Sequence, residues 1–337
     1  MSIDWPKFSE IIRSHDRFLL TSHIRPDCDA LGSELGMAGI LDALGKDVAI
    51  VNGHATPPNL TFLDPEHRIK AINVDITAAD LADREVLMIL DTSAWAQLGD
   101  MSEVVKTTKA KKIILDHHVS EDELGATLFK NTSAEATGRL VAEAAEHLDV
   151  PLTKKMADAL FAAVATDTGW YRFPSTSADT YRLAARLLDA GANPPQIYGD
   201  LYEQETLGRC RLRGIILARL ETELEGRFVH TYVLKEDFDT AGAVPQDTED
   251  AINLSLAIAG TEFAVILVEQ STGGFKLSFR SRCPLDCSQV AAEFGGGGHR
   301  AAAGAFVDES FDTARPKVLN YVRAQFEQLL STSAKPT

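Results

Sequence analysis

Eight histidine and aspartate side chains, gathered in four short segments, have the chemistry of ligands for divalent cations. They are, in chain order, His23, Asp27, Asp29, Asp91, Asp116, His117, His118 and Asp167. Imidazole nitrogens combined with hard carboxylate oxygens suit Mn²⁺ or a similar divalent ion better than a thiolate-rich structural zinc site does. Taken together, the four segments predict a metal site.

The turn between His23 and Asp29 is the most informative of these segments. Pro26 interrupts regular backbone there, so the side chains around it can converge on a cation without following helical or strand spacing. A single carboxylate would be enough to cap the helix that is predicted to follow the turn. The turn supplies two carboxylates, Asp27 and Asp29, together with a histidine, and this favours metal binding over capping alone.

The other three segments have structural alternatives when each is considered alone. Asp91 and Asp167 both precede residues that are typical of turns and helix caps. His117 and His118 are adjacent at the end of an apolar run. Because neighbouring side chains of a strand face opposite sides, one of the two histidines points outward if the other points to the core side. The coincidence of all four segments in one chain is what favours a functional site.

Almost wholly apolar strands, alternating with helical segments, are predicted for the first half of the chain. The strands lie at 18–22, 48–52, 86–90 and 112–115. This pattern is typical of a parallel sheet with helices on both faces. Functional residues of open parallel sheets lie beyond the carboxyl ends of the strands. Three of the four candidate segments directly follow a predicted strand, and Asp167 comes at the end of a predicted helix.

The rest of the sequence predicts a smaller α/β domain. Before it, a helix at 176–190 still belongs to the first half, and a helix at about 206–224 is expected to connect the two parts. Within the smaller domain, strands are expected at 228–234, 263–269 and 274–280, and helices near 247–260 and about 287–294. Four consecutive glycines, 295–298, then precede His299. Glycine backbone can approach an anion closely and cradle a phosphate, although a glycine run is also typical of a flexible hinge. Arg280 and Ser281 add donors that suit phosphate oxygens.

The composition restricts the class of partner. The chain has 337 residues and a formal net charge of −16, which argues against a broad basic surface for long nucleic acid. A small phosphate-bearing substrate stays compatible, because metal ions or local arginines can offset the overall field. We recognise no signal peptide and no membrane span, so we expect a cytoplasmic protein with no membrane partner. The four scattered cysteines are expected to be reduced thiols.

The order of these motifs resembles that of the DHH/DHHA1 phosphoesterases, and most closely their nanoRNase/pAp phosphatase subgroup. The resemblance rests on His23-x-x-x-Asp27-x-Asp29-Ala-Leu-Gly-Ser, Asp91, Asp116-His117-His118, Asp167 and Gly295-Gly-Gly-Gly-His299. It extends over nearly the whole chain. It implies a DHH domain with a parallel Rossmann-like sheet at 1–195, a helical linker at 196–225, and a DHHA1 domain with a mixed sheet at 226–330. The active site would lie in the cleft between the two domains.

The resemblance also implies a role for each candidate residue. Two divalent ions would be bound, with Mn²⁺ expected and Mg²⁺ and Co²⁺ as alternatives. The metal ligands would be His23 and Asp27 for the first ion, Asp29, His117 and Asp167 for the second, and Asp91 for both. Asp116 would orient a ligand, and His118 would contact the scissile phosphate, so that His118, Asp116 and Asp91 form the catalytic set. The substrate-binding residues would be Arg280, Ser281, Gly296, Gly297, Gly298 and His299.

The implied reaction is hydrolysis of short RNA to 5′-mononucleotides and of 3′-phosphoadenosine 5′-phosphate (pAp) to AMP and phosphate, by attack of a hydroxide that bridges the ions. A phosphodiesterase for cyclic or linear dinucleotides, an inorganic pyrophosphatase and a non-catalytic nucleotide sensor are alternatives. Long duplex nucleic acid is not an expected partner, and the sequence leaves open whether the protein forms a homodimer. Trp170, Tyr171 and Phe173 could stack on a base, although core packing is the more common use of such a trio.

Overall fold

The chain forms two compact units, one ending at Gln204 and the other beginning at Glu205. The computed structural model describes residues 3–333. Each unit contains its own clusters of buried hydrophobic side chains, and each is therefore described by itself. The domain limits drawn from the sequence at 195 and 225 stay a prediction. All four cysteines are free thiols. No helix within residues 3–333 is long and apolar enough to cross a bilayer.

The first unit is built from alternating strands and helices. Its elements are α1 (Trp5–Ser14), β1 (Arg17–Thr21), α2 (Cys28–Ala43), β2 (Asp47–Asn52), β3 (Ile69–Ala71), β4 (Val86–Leu90), α3 (Met101–Thr107), β5 (Lys111–Asp116), β6 (Thr127–Lys130), α4 (Thr137–His147), α5 (Lys154–Asp167), α6 (Ala178–Asp189) and α7 (Pro194–Tyr202). Short 3₁₀ helices occupy Pro58–Leu63, Ala78–Leu81 and Trp95–Gln97.

All six strands of this unit form one sheet in the order β3-β2-β1-β4-β5-β6, and every neighbouring pair is parallel. The predicted parallel α/β fold is therefore confirmed. The register pairs Thr21 with Ile89 and Leu90 with Leu115. Because these pairs lie at the carboxyl ends of β1, β4 and β5, the residues that follow the three strands leave the sheet at the same edge.

Helices α2 and α5 pack unusually closely. A Cβ atom on Gly32 would collide with the carbonyl oxygen of Ala159, and one on Gly36 would lie 2.6 Å from a methyl carbon of Leu160. Glycine at these positions of α2 lets the two helix backbones approach each other. The start of α2 carries Asp29, and α5 ends with Asp167. The close contact therefore helps to bring two of the predicted ligands together.

The second unit contains a mixed sheet. Its elements are α8 (Leu207–Ala218), β7 (Glu221–Glu223), β8 (Phe228–Val233), α9 (Lys235–Ala241), α10 (Ala251–Leu256), β9 (Phe263–Glu269), β10 (Phe275–Ser281), α11 (Cys287–Glu293), β11 (Gly297–His299), β12 (Ala302–Val307) and α12 (Phe311–Ser333). The strand order is β11-β12-β10-β9-β8-β7. Among the described strands of this second sheet, only the β8–β9 pair is parallel, so the predicted mixed sheet is confirmed.

One local prediction for the second unit was wrong, and one alternative left open by the sequence is excluded. The helix predicted over about 206–224 ends at Ala218, because the following residues pair with β8 as the short strand β7. Glu223 of β7 accepts a hydrogen bond from Nε2 of His230, a contact that only the tertiary fold provides. The glycine run is not a flexible hinge in this fold, since Gly297–His299 pairs with β12 as an edge strand.

Candidate metal centre

The first predicted group of ligands meets at the carboxyl edge of the parallel sheet. Nε2 of His23 lies 3.3 Å from Oδ2 of Asp91 and 3.8 Å from Oδ1 of Asp27. The ligand atoms of these three residues lie within 4.8 Å of one another. An open cavity of about 280 Å³ is lined by the same three residues and by His118. The group can therefore hold one ion that solvent or a substrate could reach.

The second predicted group lies on the other side of Asp91. Nε2 of His117 is 3.7 Å from Oδ2 of Asp29, 3.6 Å from Oδ2 of Asp167 and 3.5 Å from Oδ1 of Asp91. Asp91 thus directs one carboxylate oxygen toward each group. This arrangement offers two adjacent ligand sets that share one residue.

Backbone carbonyl groups orient the histidines of both groups. Nδ1 of His23 donates to the carbonyl oxygen of Ile24 at 2.9 Å, and Nδ1 of His117 donates to that of Ala134 at 3.1 Å. A carbonyl can only accept, so the proton of each neutral ring is on Nδ1. When the ring is neutral, as metal binding requires, Nε2 carries a lone pair that faces the carboxylates. Metal-binding histidines are commonly oriented in this way.

The first turn of α4 fixes two of the carboxylates. The backbone N–H groups of Thr137 and Gly138 donate to Asp29 at 2.7 and 2.8 Å, and the Thr137 hydroxyl donates to Oδ1 of Asp91 at 2.9 Å. N–H groups at the start of a helix are suited to hold an anionic group. Nothing in the local sequence around Thr137 signals this role, because it depends on how α4 packs against α2.

Asp27 serves as both a helix cap and a candidate ligand. Its Oδ1 accepts from the backbone N–H groups of Asp29 and Ala30 at 2.9 and 3.1 Å, and it caps α2 in this way. Burial would raise the pKa of Asp27, but hydrogen bonds with His23 and with these N–H groups hold it below its usual value. The capping and metal-binding interpretations of this residue are therefore compatible.

The backbone of Asp91 adopts a left-handed conformation, with φ of 60°. Such a conformation costs a non-glycine residue on the order of 1–3 kcal/mol and is often associated with functional sites. The Asp91 N–H donates to the carbonyl oxygen of Leu115 at 3.2 Å. This bond ties the turn after β4 to the end of β5.

His118 pairs with Asp116. Nδ1 of His118 donates to Oδ1 of Asp116 at 2.9 Å, and this bond raises the pKa of His118 against the effect of burial. Burial would raise the pKa of Asp116, but its hydrogen bonds with His118 and Ser93 hold it below its usual value. Nε2 of the half-exposed His118 stays available for another partner.

Behind Asp116 lie two residues that the sequence did not identify. The Ser93 hydroxyl donates to Oδ2 of Asp116 at 2.8 Å, and Nζ of Lys130 donates to the Ser93 hydroxyl oxygen at 2.8 Å. Nζ also lies 3.5 Å from Oδ2 of Asp116. Lys130 therefore adds a positive charge behind the Asp116–His118 pair. A lysine at the end of an edge strand carries no local signal of such a role.

A second unpredicted network lies under His23. Nδ2 of Asn52 donates to Oε2 of Glu34 at 2.9 Å, and Oδ1 of Asn52 accepts from the backbone N–H of Ser22 at 3.0 Å. Glu34 is fully buried, and burial raises its pKa to about 8. Within residues 3–333 its Oε1 has no hydrogen-bond partner. This network supports the end of β1, immediately before His23.

The pKa shifts of the clustered side chains are those expected of a site that suits divalent cations. Burial, with the neighbouring Asp91 and Asp167 charges, raises the pKa of Asp29 well above its usual value. Burial also raises the pKa of Asp167, to about 6. Burial would lower the pKa of His23, but hydrogen bonds with Asp27 and Asp91 raise it to about 11. All three shifts show that added positive charge, a proton here or a cation in its place, would stabilise the crowded carboxylates. The oxygen and nitrogen donors of the cluster suit Mn²⁺, Mg²⁺ or Co²⁺.

In the second unit, the predicted substrate-binding residues lie on adjacent strands. Ala302 of β12 pairs with His299 of β11 on one side and with Arg280 of β10 on the other. Directly opposite residues share a sheet face, so these two side chains lie in one row with Cα atoms about 10 Å apart, two strand spacings. The Ser281 hydroxyl donates to the carbonyl oxygen of Cys283 at 3.1 Å.

The glycines beside this row have different structural requirements. A Cβ atom on Gly296 would collide with the carbonyl oxygen of Gly304, and one on Gly298 would lie 2.6 Å from Cα of Ala303. Close pairing of β11 with β12 therefore requires these two glycines. A Cβ on Gly297 would meet nothing within 4 Å. The fold leaves the space beside Gly297 open, where a ligand could approach the backbone.

Comparison with known proteins identifies two family domains in the chain. The model of the DHH family, N-terminal domain, matches residues 17–164, and the model of the DHHA1 domain matches residues 225–330. The chain is similar to the bifunctional oligoribonuclease and PAP phosphatase NrnA of Thermus thermophilus, with 31% identity covering 91% of this chain and 89% of that protein. The protein of the same name from Bacillus subtilis is 26% identical, covering 89% of this chain and 93% of the relative.

A solved structure shows the same fold. An exopolyphosphatase-related protein from Bacteroides fragilis superposes with a TM-score of 0.75 and 25% sequence identity, and the match covers 97% of both chains. The similarity thus extends over both units of the chain and is not limited to the parallel sheet.

Proposed function

Because the chain belongs to the DHH/DHHA1 family of phosphoesterases, we propose that it hydrolyses short oligoribonucleotides to 5′-mononucleotides and pAp to AMP and phosphate. Two curated relatives named as bifunctional oligoribonuclease and PAP phosphatase support this choice among phosphoester substrates. The observation that carries the proposal is the position of Asp91, with one carboxylate oxygen facing His23 and the other facing His117.

In this proposal the two ligand groups hold a pair of divalent ions, which we take to be Mn²⁺. His23 and Asp27 belong to one ion, Asp29, His117 and Asp167 belong to the other, and Asp91 serves both. When bound, such a pair supplies a strong oxygen nucleophile at neutral pH and neutralises charge on the phosphate oxygens. The shortage of positive charge in the cluster supports this assignment.

His118 is proposed to bind the scissile phosphate. The hydrogen bond to Asp116 raises the pKa of His118, which shifts the ring toward its protonated form, and Nδ1 is already held by Asp116. Nε2–H can then donate to a phosphate oxygen, a charge-assisted bond stronger than one between neutral groups. Asp116 keeps the ring in place and stabilises its charge. Ser93 and Lys130 in turn hold Asp116.

Arg280 and His299 are proposed to bind a substrate phosphate from the second unit. Their positions on either side of Ala302 place two donor side chains in one short row. With Ser281 and the backbone of Gly296, Gly297 and Gly298, they would form a small anion site. A row of about 10 Å suits a nucleotide rather than a long strand, and the net charge of −16 also disfavours long nucleic acid.

A product assay with added Mn²⁺ tests the proposal. The purified chain is incubated with pAp, a linear dinucleotide, a short RNA, a long RNA and pyrophosphate, and the products are separated. We expect AMP and phosphate from pAp, and 5′-mononucleotides from the short RNA, with little product from the long RNA. Release of phosphate from pyrophosphate alone would overturn the proposal in favour of a pyrophosphatase, and cleavage of the dinucleotide alone would indicate a dinucleotide phosphodiesterase.

The variant Asp91→Ala separates an enzyme from a nucleotide sensor. We expect hydrolysis to fall at least about 100-fold, since even a residue that only supports a metal ligand commonly contributes 10- to 100-fold. Circular dichroism should show that the variant still folds. Asp308→Asn, which changes an exposed aspartate in the loop after β12, is the matched control and should keep full activity. Equal turnover by Asp91→Ala and wild type would contradict a catalytic role of the cluster.

A further inference from the structure

The turn that follows Asp167 has a strained backbone. Gly169, Trp170 and Tyr171 are three consecutive residues with left-handed conformations, at φ of 55°, 57° and 62°. Left-handed backbone is uncommon for a bulky residue, so Trp170 and Tyr171 each cost on the order of 1–3 kcal/mol, whereas Gly169 adopts it without strain. Such strain persists only where surrounding contacts determine it, and it is often found at binding sites. The turn therefore requires an explanation beyond ending α5.

Packing accounts for the two aromatic residues inside the strained turn. The ring centroids of Trp170 and Tyr198 are 4.9 Å apart, and Tyr171 stacks on Tyr181 with a centroid distance of 5.4 Å. Both rings also pack against the core of the first unit. Core packing, the more common use of such an aromatic trio, is therefore confirmed for Trp170 and Tyr171.

Phe173 behaves differently from its two aromatic neighbours. Its side chain is 50% exposed, and it is not part of the core. The ring lies against Gly169, where an added Cβ atom would be 2.5 Å from a ring carbon. The Phe173 N–H donates to the carbonyl oxygen of Thr168 at 3.0 Å, which closes the turn. The strained turn thus holds an exposed aromatic ring against Gly169, two residues from the candidate ligand Asp167.

Arg172 lies beside Phe173 and has an unpaired charge. Its Nε donates to the carbonyl oxygen of Gly169 at 2.7 Å, which holds the exposed guanidinium near the same glycine. Among residues 3–333 no carboxylate lies within 4 Å of its nitrogens, although the chain has 49 acidic and only 33 basic residues. The two Nη groups keep their donors for another anion. A guanidinium of this kind is well suited to phosphate.

We infer that Arg172 and Phe173 form a nucleotide-binding subsite, in which Phe173 stacks on a base and Arg172 binds a phosphate other than the one that is hydrolysed. A cation next to an exposed aromatic ring matches the two parts of a nucleotide, and stacking tolerates any base. This inference rests on the proposed function, since it assumes a nucleotide substrate. It adds that the first unit recognises the base as well as the scissile phosphate.

Steady-state kinetics with matched substrates test the subsite. One substrate is a 5′-phosphorylated diadenylate, and the others are the same molecule with one base or the other removed. For Phe173→Ala we expect KM of the intact substrate to rise about 10-fold, within the range for one stacked base, while kcat changes less than twofold. KM should not change for the analogue that lacks the stacked base. Phe173→Trp should bind as well as wild type or more tightly.

Arg172 makes a different prediction with the same substrates. Arg172→Met should raise KM equally for the intact and base-free substrates, because both retain the phosphate, and Arg172→Lys should restore part of the loss.

Phe306→Ala is the matched control for Phe173→Ala, since Phe306 is also 50% exposed but lies on β12 of the second unit. If Phe173→Ala fails to fold, Phe173→Leu, which keeps an apolar side chain against Gly169, provides the same comparison.

The outcomes distinguish the subsite from the proposed function. A wild-type protein that hydrolyses no nucleotide substrate would overturn the proposed function and the subsite together. An active wild type whose KM is unaffected by the Phe173 variants would overturn the subsite alone. For Phe173→Ala, an equal rise of KM with the intact substrate and both base-free analogues would also overturn it, because a loss at Phe173 that does not depend on the base reflects disturbed structure.

Discussion

Replacing Asp167 by asparagine should stabilise the metal-free protein while removing its activity. Burial raises the pKa of this carboxyl group to about 6. A carboxyl whose pKa is higher in the folded than in the unfolded chain favours folding at low pH, and this contribution is lost as the pH rises through 6. At pH 8 the ionised Asp167 therefore lowers the free energy of unfolding of the metal-free chain, and asparagine removes that cost.

The size of the effect follows from the pKa. A rise of about two units corresponds to about 3 kcal/mol at 1.36 kcal/mol per unit. Because the side chain is 34% exposed, solvent screening reduces this figure, and we expect about 1–2 kcal/mol. For a unit of this size the melting temperature should rise by roughly 3–6 °C.

Thermal melts in EDTA measure this difference at pH 8 and again at pH 5, where it should shrink because Asp167 of the wild type is largely protonated. Added Mn²⁺ should reverse the order of the two proteins at pH 8, since a bound ion stabilises the folded state by mass action and the variant has lost a ligand. Asp308→Asn controls for the loss of one negative charge. A variant that melts below wild type in EDTA at pH 8 would refute the reasoning about charge in this cluster.

Four further substitutions test other parts of the structure. Lys130→Met should lower kcat about 10-fold without changing the affinity for Mn²⁺, because it removes the positive charge behind Asp116. Steady-state kinetics measure kcat, and a metal titration measures the Mn²⁺ affinity. Weakened Mn²⁺ binding would argue against a role of Lys130 that acts through Asp116. In EDTA, the melting temperature of Glu34→Gln should exceed that of wild type by an amount that grows between pH 7 and pH 9. The reason is that the pKa of the buried Glu34 is raised to about 8 and its ionisation disfavours folding. A difference in melting temperature that stays constant over this range would contradict that pKa. Gly297→Ala should leave the melting temperature unchanged but raise KM about fivefold or more if a phosphate approaches this backbone. Gly298→Ala should instead lower the melting temperature by several degrees, because its Cβ would lie 2.6 Å from Cα of Ala303. An unchanged KM in Gly297→Ala would remove the glycines from the proposed anion site.

The parallel sheet and the convergence of the candidate metal ligands could be predicted from the sequence because both depend on local patterns. Five consecutive apolar residues in β4 mark a strand that is buried on both faces, and Asp91 follows it directly. In a parallel sheet, residues that follow neighbouring strands reach the same edge whatever the details of packing. This rule is sufficient to bring His23, Asp91 and His117 together without any knowledge of the helices.

The supporting residues could not be predicted because their roles arise from tertiary contacts. Lys130 reaches Ser93 from a strand distant in sequence, and Thr137 reaches Asp91 only because α4 packs where it does. The strand at Gly297–His299 was missed for a related reason, since glycine has a low preference for strands and the pairing with β12 compensates for it. In each case the determining partner lies outside any local window of sequence.

The glycines of α2 have a consequence for how natural variants of this protein should be interpreted. Gly32 stands three residues after a candidate ligand, so its invariance across homologues would suggest contact with substrate. The backbone of α5 already excludes even one methyl group at that position. Retention of this glycine during evolution would therefore report the architecture of two helices and carry no information about what the protein hydrolyses.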